Sequence, residues 1–233
     1  DQTKLVLVKP PKNGTHKYVY SNGDQYIGSF KDFKRHGEGT MIFSNGEVYN
    51  GSWEQDKFNS YGVLTWSNGD KYEGDFSGGL RDGYGVLTWV NGEIYEGHYR
   101  LGVREGSGSM QYSNGDSYKG DWEDDTFNGV GVYIFSNGAK YDGEFQNGIR
   151  NGKGVYVYNN GNKFSGNFEN GQRTGLGTYK LQNGEIYIGN FRHDKYEGEG
   201  KYTWVNGDHY EGQWSKGRMH GNGRYTWSNG DFY

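Results

Sequence analysis

Large apolar residues do not gather into runs along this chain; they return at fixed places. An aromatic-x-Gly unit begins at Tyr26, Tyr49, Tyr72, Tyr95, Tyr118, Tyr141, Phe164, Tyr187 and Tyr210, each 23 residues after the last, and Tyr233 stands where a tenth would open. Three further columns keep the register. An Asn-Gly pair precedes each unit by three residues, from Asn22-Gly23 to Asn229-Gly230. A second aromatic follows each Gly by two residues: Phe30, Trp53, Phe76, Tyr99, Trp122, Phe145, Phe168, Phe191 and Trp214. A Gly-x-Gly recurs from Gly37/Gly39 to Gly221/Gly223, broken once, by Ser60 before Gly62.

Asn-Gly between short β-branched and aromatic stretches is the strongest local hairpin signal, so each repeat is predicted to form one hairpin. In the second, residues 39–44 and 47–53 are the expected strands, and residues 54–60 the polar connection onward. A two-residue turn would pair Phe43 with Val48 and leave Tyr49 on the face opposite Phe43. A three-residue turn with a glycine bulge at Gly46 instead puts Met41, Phe43, Tyr49, Gly51 and Trp53 on one face. The columns equivalent to 41, 43, 49 and 53 are large and apolar while those of 42 and 48 vary, which favours the bulged turn. Gly51 then faces Gly39, leaving room for rings to lie over bare backbone.

The expected fold is therefore all-β: an elongated, twisted, single-layer antiparallel meander with an aromatic-lined groove, ~85 Å long at the usual strand spacing. Residues 14–233 form the array and residues 1–13 a non-repeat segment. In the latter, residues 5–8 (Leu-Val-Leu-Val) are either a strand capping the first hairpin or an appended remnant.

Composition supports a thin structure. There are 43 glycines and 41 aromatic residues, with few aliphatic side chains, two prolines and no cysteine. Disulfides and thiolate metal sites are excluded. No apolar run approaches a membrane span and no signal peptide is visible, so a cytoplasmic protein is expected. A net charge of −4 with interspersed signs argues against nucleic acid as a partner.

These columns resemble the membrane occupation and recognition nexus (MORN) repeat over residues 14–233. The Ser-Asn-Gly-Asp and Tyr-Glu-Gly wording is similar to cytoskeletal MORN scaffolds of apicomplexan and other protists. Phe164 for Tyr, Ser60 for Gly and Leu181 in an aromatic column are the departures. The resemblance implies a scaffold that homodimerises through terminal repeats or holds a partner helix or peptide in its groove, at the cytoskeleton or cell cortex.

The rings expected at that groove are Trp53, Trp66, Trp89, Tyr112, Trp122, Trp204, Trp214 and Trp227, because aromatic residues dominate interface hot spots. Any single ring is as readily explained as core. Arg35, Arg81, Arg104, Arg150 and Arg173 share one column, where Phe58, Phe127, Tyr196 and Met219 fill the other repeats. They are expected to pair with Asp24, Asp70, Glu93 or Asp116 or to stack on neighbouring rings, in preference to holding lipid phosphates. His209 or His220 with a nearby carboxylate could bridge a metal between two chains, but a solvated surface role is expected for both.

No unique polar constellation suits catalysis, and Gly-x-Gly recurs without the helix that phosphate binding needs, so neither an enzyme nor a cofactor is expected. A non-catalytic scaffold that self-associates is the leading reading. The alternatives are a targeting or regulatory module of a larger lipid kinase or methyltransferase, and an anionic phospholipid-binding module.

Overall fold

A computed structural model describes residues 9–233, and the expectation for residues 5–8 lies outside them. The chain divides into two units, Asp1–Ser113 and Asn114–Tyr233. Among the described residues, every regular element is a strand. The first unit contains β1 (Gly14–Val19), β2 (Gln25–Lys31), β3 (Lys34–Ile42), β4 (Val48–Glu54), β5 (Lys57–Thr65), β6 (Lys71–Ser77), β7 (Leu80–Thr88), β8 (Ile94–Arg100) and β9 (Val103–Gln111). The second contains β10 (Ser117–Glu123), β11 (Thr126–Ile134), β12 (Lys140–Gln146), β13 (Ile149–Val157), β14 (Lys163–Glu169), β15 (Gln172–Lys180), β16 (Ile186–Arg192), β17 (Lys195–Thr203), β18 (His209–Ser215) and β19 (Arg218–Thr226). Within each unit every strand pairs antiparallel with the next, giving a meander.

The Asn-Gly turns are the bulged kind. Gly46 N–H donates to the Phe43 carbonyl at 3.0 Å and Phe43 N–H to the Glu47 carbonyl at 2.9 Å. Gly46 itself has φ 94°, the left-handed position of a type I turn with a glycine bulge. Asn is chosen for its side chain: Asn45 Oδ1 accepts from Glu47 N–H at 3.0 Å. Met41 consequently faces Tyr49 and Gly39 faces Gly51, as the column argument requires.

The connection assigned to residues 54–60 is mostly strand. β4 runs to Glu54, β5 starts at Lys57, and only Gln55 (φ 49°) and Asp56 (φ 68°) turn the chain. Two consecutive positive φ values define a type I′ turn, whose twist matches that of the flanking strands. Equivalent turns stand at Asp32-Phe33, Gly78-Gly79, Asn147-Gly148 and His193-Asp194. Each repeat thus contributes two hairpin turns, and the strands expected at 39–44 and 47–53 are β3 and β4, with Ser44 and Glu47 in the turn.

Gly-x-Gly divides into two roles. Between β4 and β5 the register runs Gly51↔Gly62 and then Trp53↔Phe58, so residues 59–61 bulge opposite Ser52. The first column bends this bulge at positive φ, as Gly37 (φ 69°) and Gly83 (φ 109°) do and as Ser60 does at φ 54°. The second column is steric. A Cβ on Gly62 would lie 2.4 Å from the Tyr49 hydroxyl, and one on Gly51 would lie 2.5 Å from the Gly62 Cα.

The core is a ladder of rings on this face. Tyr49 meets Trp53 of its own repeat edge-on at 5.2 Å and Phe76 of the next at 5.4 Å. Tyr26 meets Phe30 and Trp53 likewise, and Tyr118 meets Trp122 and Phe145. Tyr26, Tyr49, Tyr72 and Tyr95 have no exposed surface, so one layer of strands buries these rings without a second layer. Each fully buried large side chain contributes about 1.5–3 kcal/mol by area, and each edge-on pair roughly 0.5–1.5 kcal/mol more.

Candidate partner-binding groove

The rings of the predicted set separate into two groups. Trp53, Trp122 and Trp214 lie inside the ladder at 3%, 3% and 6% exposure. The indole N–H of Trp53 donates to the Gly39 carbonyl at 3.0 Å, and that of Trp214 to the Gly200 carbonyl at 3.0 Å. Trp66, Trp89, Tyr112 and Trp204 are half-buried, and Trp227 is exposed. All five occupy the column that enters the Asn-Gly turn, together with half-buried Phe43, Phe135 and Tyr158. None of these rings is closed off as those of the Tyr49 and Trp53 columns are.

Beside this row runs the column of Arg35 and Phe58. Where it is aromatic, the ring stacks flat on the core tyrosine: Phe58 on Tyr49 at 3.7 Å, Phe127 on Tyr118 at 4.0 Å and Tyr196 on Tyr187 at 3.8 Å. At Arg35 and Arg81 the guanidinium lies closest to a different ring, the second-column aromatic of the next repeat, Arg35 over Trp53 at 4.3 Å and Arg81 over Tyr99 at 4.8 Å. Expected ring stacking is therefore present, and the carboxylates paired with Arg35 and Arg173 are not the expected ones. Arg35 pairs with Asp56 at 3.0 Å and Arg173 with Asp194 at 2.9 Å, in both cases a residue of the next type I′ turn. Arg81 and Arg150 meet glycine at that turn and donate to the carbonyls of Gly102 (2.7 Å) and Gly171 (3.0 Å).

Asp24, Asp70 and Asp116 instead cap the following Asn-Gly turn. Their Oδ1 atoms accept from the backbone N–H of Ser44, Val90 and Ser136 at 2.8, 2.8 and 2.7 Å. These bonds, with that to the Asn22 amide, hold the Asp24 carboxyl below the usual range. Asp116 is held low first by the Tyr133 hydroxyl and then by Ser136 N–H. The difference between the units arises here. After Tyr18, the column that reads Met41, Leu64, Leu87 and Met110 in the first becomes Tyr133, Tyr156, Tyr179, Tyr202 and Tyr225 in the second. Tyr133 and Tyr225 donate to Asp116 and Asp208 at 2.7 and 2.9 Å. These hydroxyl–carboxylate clasps were visible in the sequence only as a change from Met/Leu to Tyr.

Among the described residues, pockets open along this face in both units. One of about 410 Å3 in the first unit is lined by Trp66, Trp89, Arg81, Glu47 and Asp70. One of about 370 Å3 in the second lies among Phe127, Tyr133, Phe135 and Arg150. A third, of about 630 Å3, is bounded by Tyr210, Tyr225, Trp227 and Tyr233. His220, which lines the third, is exposed on β19, and His209 is half-buried opposite Thr226. Among the described residues neither belongs to a group of three or more His, Asp or Glu able to hold a metal. Among the described residues no helix is long and apolar enough to cross a membrane.

The fold is similar to solved TCP domains. The TCP10 domain of Danio rerio CPAP in complex with a STIL peptide matches with a TM-score of 0.49 and 13% identity, covering 97% of this chain and 95% of that one. The Drosophila melanogaster SAS-4 TCP domain in complex with a proline-rich motif of Ana2 matches with a TM-score of 0.42 and 12% identity, covering 76% and 90%. Among curated proteins none matches the chain. The MORN repeat pattern matches nine consecutive segments, 26–48, 49–71, 72–94, 95–117, 118–140, 141–163, 164–186, 187–209 and 210–232, each opening on the ring that lies over the glycine pair. The chain belongs to the MORN repeat family.

Proposed function

We propose that this chain is a non-catalytic scaffold that holds a segment of a protein partner, a helix or an extended peptide, against its row of half-buried rings. The observation that carries the reading is the contrast within one face. The Tyr49 and Trp53 columns are closed off by their neighbours, while the Trp66 column is only half-buried or exposed, beside a column of ring-stacked arginines. A row of large rings with polar margins is the composition of an interface centre.

Self-association through terminal strands belongs to the same proposal. It rests on what the family resemblance implies for terminal repeats. A cytoplasmic site at the cytoskeleton or cortex is proposed on the family resemblance.

The test is selection of peptides from a displayed random library on the full chain, followed by hydrogen exchange of the chain with a selected peptide. Slowed exchange in the Asn-Gly turns beside Trp66, Trp89 and Trp204 supports the groove. Slowing confined elsewhere, or no selected peptide, contradicts it. Sedimentation equilibrium tests self-association separately, and a monomer at every concentration removes it.

A further inference from the structure

In the second unit the tyrosine column joins members of the half-buried ring row into a chain. Tyr202 lies 4.9 Å from Trp204, Trp204 5.2 Å from Tyr225, and Tyr225 5.1 Å from Trp227, centre to centre. Rings at such separations are in contact. Both tyrosines also donate to a carboxylate, Tyr202 to Glu185 Oε2 at 2.5 Å and Tyr225 to Asp208 Oδ2 at 2.9 Å. Trp204 thus stands between two phenols, each already bonded to a proton acceptor.

Other repeats lack one part or another of this arrangement. In the first unit Leu87 stands 21 residues after Trp66, as Tyr225 stands 21 after Trp204, and it lines one pocket with Trp66 and Trp89. That column therefore places no phenol between those two indoles. In the repeat before Trp204 the place of the indole is taken by Leu181, and the Tyr179 hydroxyl meets the Asn162 amide, from which it accepts at 2.8 Å, where Tyr225 meets a carboxylate.

An indole that has lost an electron oxidises a phenol in contact with it, and a phenol that yields an electron becomes a strong acid. Tyrosine oxidation therefore needs somewhere for the proton to go, and a carboxylate at hydrogen-bond distance is a positioned acceptor. Short O–H···O bonds to a carboxylate are the stronger kind, which favours Tyr202 over Tyr225.

We propose that Tyr202, Trp204 and Tyr225 form a radical relay that takes oxidising equivalents off the indole of Trp204. A small one-electron oxidant removes an electron from half-buried Trp204. Tyr202 returns an electron to the indole, its O–H bond breaks, and the proton passes to Glu185. In sum, oxidant radical, phenol and carboxylate become the reduced anion, a phenoxyl radical and a carboxylic acid, and the indole is restored. Tyr225 and Asp208 do the same from the other flank and serve Trp227 as well. The relay is independent of what occupies the groove.

The test exposes the full chain to azidyl radical, a one-electron oxidant, generated by steady radiolysis, and follows each indole and phenol by peptide mass mapping. Trp204 should be lost about tenfold more slowly than Trp66 and Trp89, which are half-buried like it, with oxidised product gathering on Tyr202. Tyr202→Phe with Tyr225→Phe removes both phenols. Glu185→Gln with Asp208→Asn keeps the rings and removes both proton acceptors, and Asn162 shows that an amide is accommodated at the Asp208 place. Either pair should bring the loss of Trp204 up to that of Trp66. Leu87→Tyr should build the relay where it is missing, because Asp70 stands 17 residues before it as Asp208 stands before Tyr225. Loss of Trp66 and Trp89 should then slow about tenfold. Equal loss of Trp204 and Trp66 in the parent chain, or no response of Trp204 to removal of the phenols, overturns the relay. A response to the phenols but none to the carboxylates overturns proton transfer to Glu185 and Asp208.

Discussion

The hydroxyl of Tyr49 donates to the carbonyl of Ser52 at 2.9 Å, and the ring that carries it lies over Gly62, so that a Cβ there would be 2.4 Å from the hydroxyl oxygen. One side chain thereby fixes the bulge opposite Ser52, requires the glycine, and presents its edge to the rings on either side. The same contact recurs in Tyr26 with Ser29, Tyr118 with Asp121 and Tyr187 with Asn190.

Gly62→Ala should therefore destabilise the chain by about 2–3 kcal/mol, the upper range for an added methyl in a packed site. The first group it meets is a ring held by its own hydrogen bond. Urea unfolding measures it, and a midpoint equal to that of the parent would show that the ring can yield.

Ser60 carries φ 54° where the other repeats have glycine. A left-handed L-residue costs roughly 1–2 kcal/mol, offset by about 0.5–1 kcal/mol because glycine gains more freedom on unfolding. Ser60→Gly should raise stability by roughly 0.5–1 kcal/mol, read from the same urea midpoint. No change, or a loss, would mean that Ser60 has a compensating contact.

Phe164 closes over Gly166 and Gly177 without a hydroxyl, and its bulge is shorter: Asn167 pairs with Thr174, whereas in the other bulges the residue after the glycine is unpaired. Phe164→Tyr should restore the hydroxyl-to-carbonyl bond and add about 1 kcal/mol. Tyr187→Phe should cost a similar amount. A destabilised Phe164→Tyr would show that this bulge has adapted to the missing hydroxyl.

Burial pushes the hydroxyls of Tyr26, Tyr141 and Tyr196 up to about 12. In the unfolded chain tyrosine ionises near 10. Below about pH 10 both states hold the proton and the contribution is whole; between about 10 and 12 the unfolded chain loses it first, so stability falls as pH rises. The urea midpoint should stay level to about pH 10 and then drop, and the 13Cζ signals of Tyr26, Tyr141 and Tyr196 should keep their neutral positions well above pH 10 for as long as the chain stays folded. Ionisation of these three hydroxyls near pH 10 in the folded chain would contradict the burial of their rings.

The bulged hairpin, its register and the aromatic face could be read from the sequence because the apolar columns decide between the two turns that Asn-Gly allows, and side chains alternate strictly across a strand. The second turn of each repeat could not. Asp32-Phe33 and Gln55-Asp56 carry no local preference for type I′, and flanking strand pairing imposes it, so residues 54–60 read as a polar loop. Arginine partners were misplaced for the same reason: Asp56 comes within reach of Arg35 only once that tight turn is known. Among the candidate rings, Trp53, Trp122 and Trp214 could not be told from Trp66 by residue type, because columns two residues after Gly and one residue before the turn are both aromatic. Only packing closes one and leaves the other open.

Binding of a partner to the half-buried ring row is tested most directly by the affinity of a library-selected peptide, measured by isothermal titration. Trp66→Ala with Trp89→Ala alters the groove of the first unit, while Tyr61→Ala with Tyr84→Ala alters exposed rings on the opposite face. For a peptide whose binding protects the first unit, the groove pair should weaken binding about tenfold or more and the opposite pair by less than about twofold. An equal effect from both, or a larger one from Tyr61 and Tyr84, would contradict the assignment of the groove.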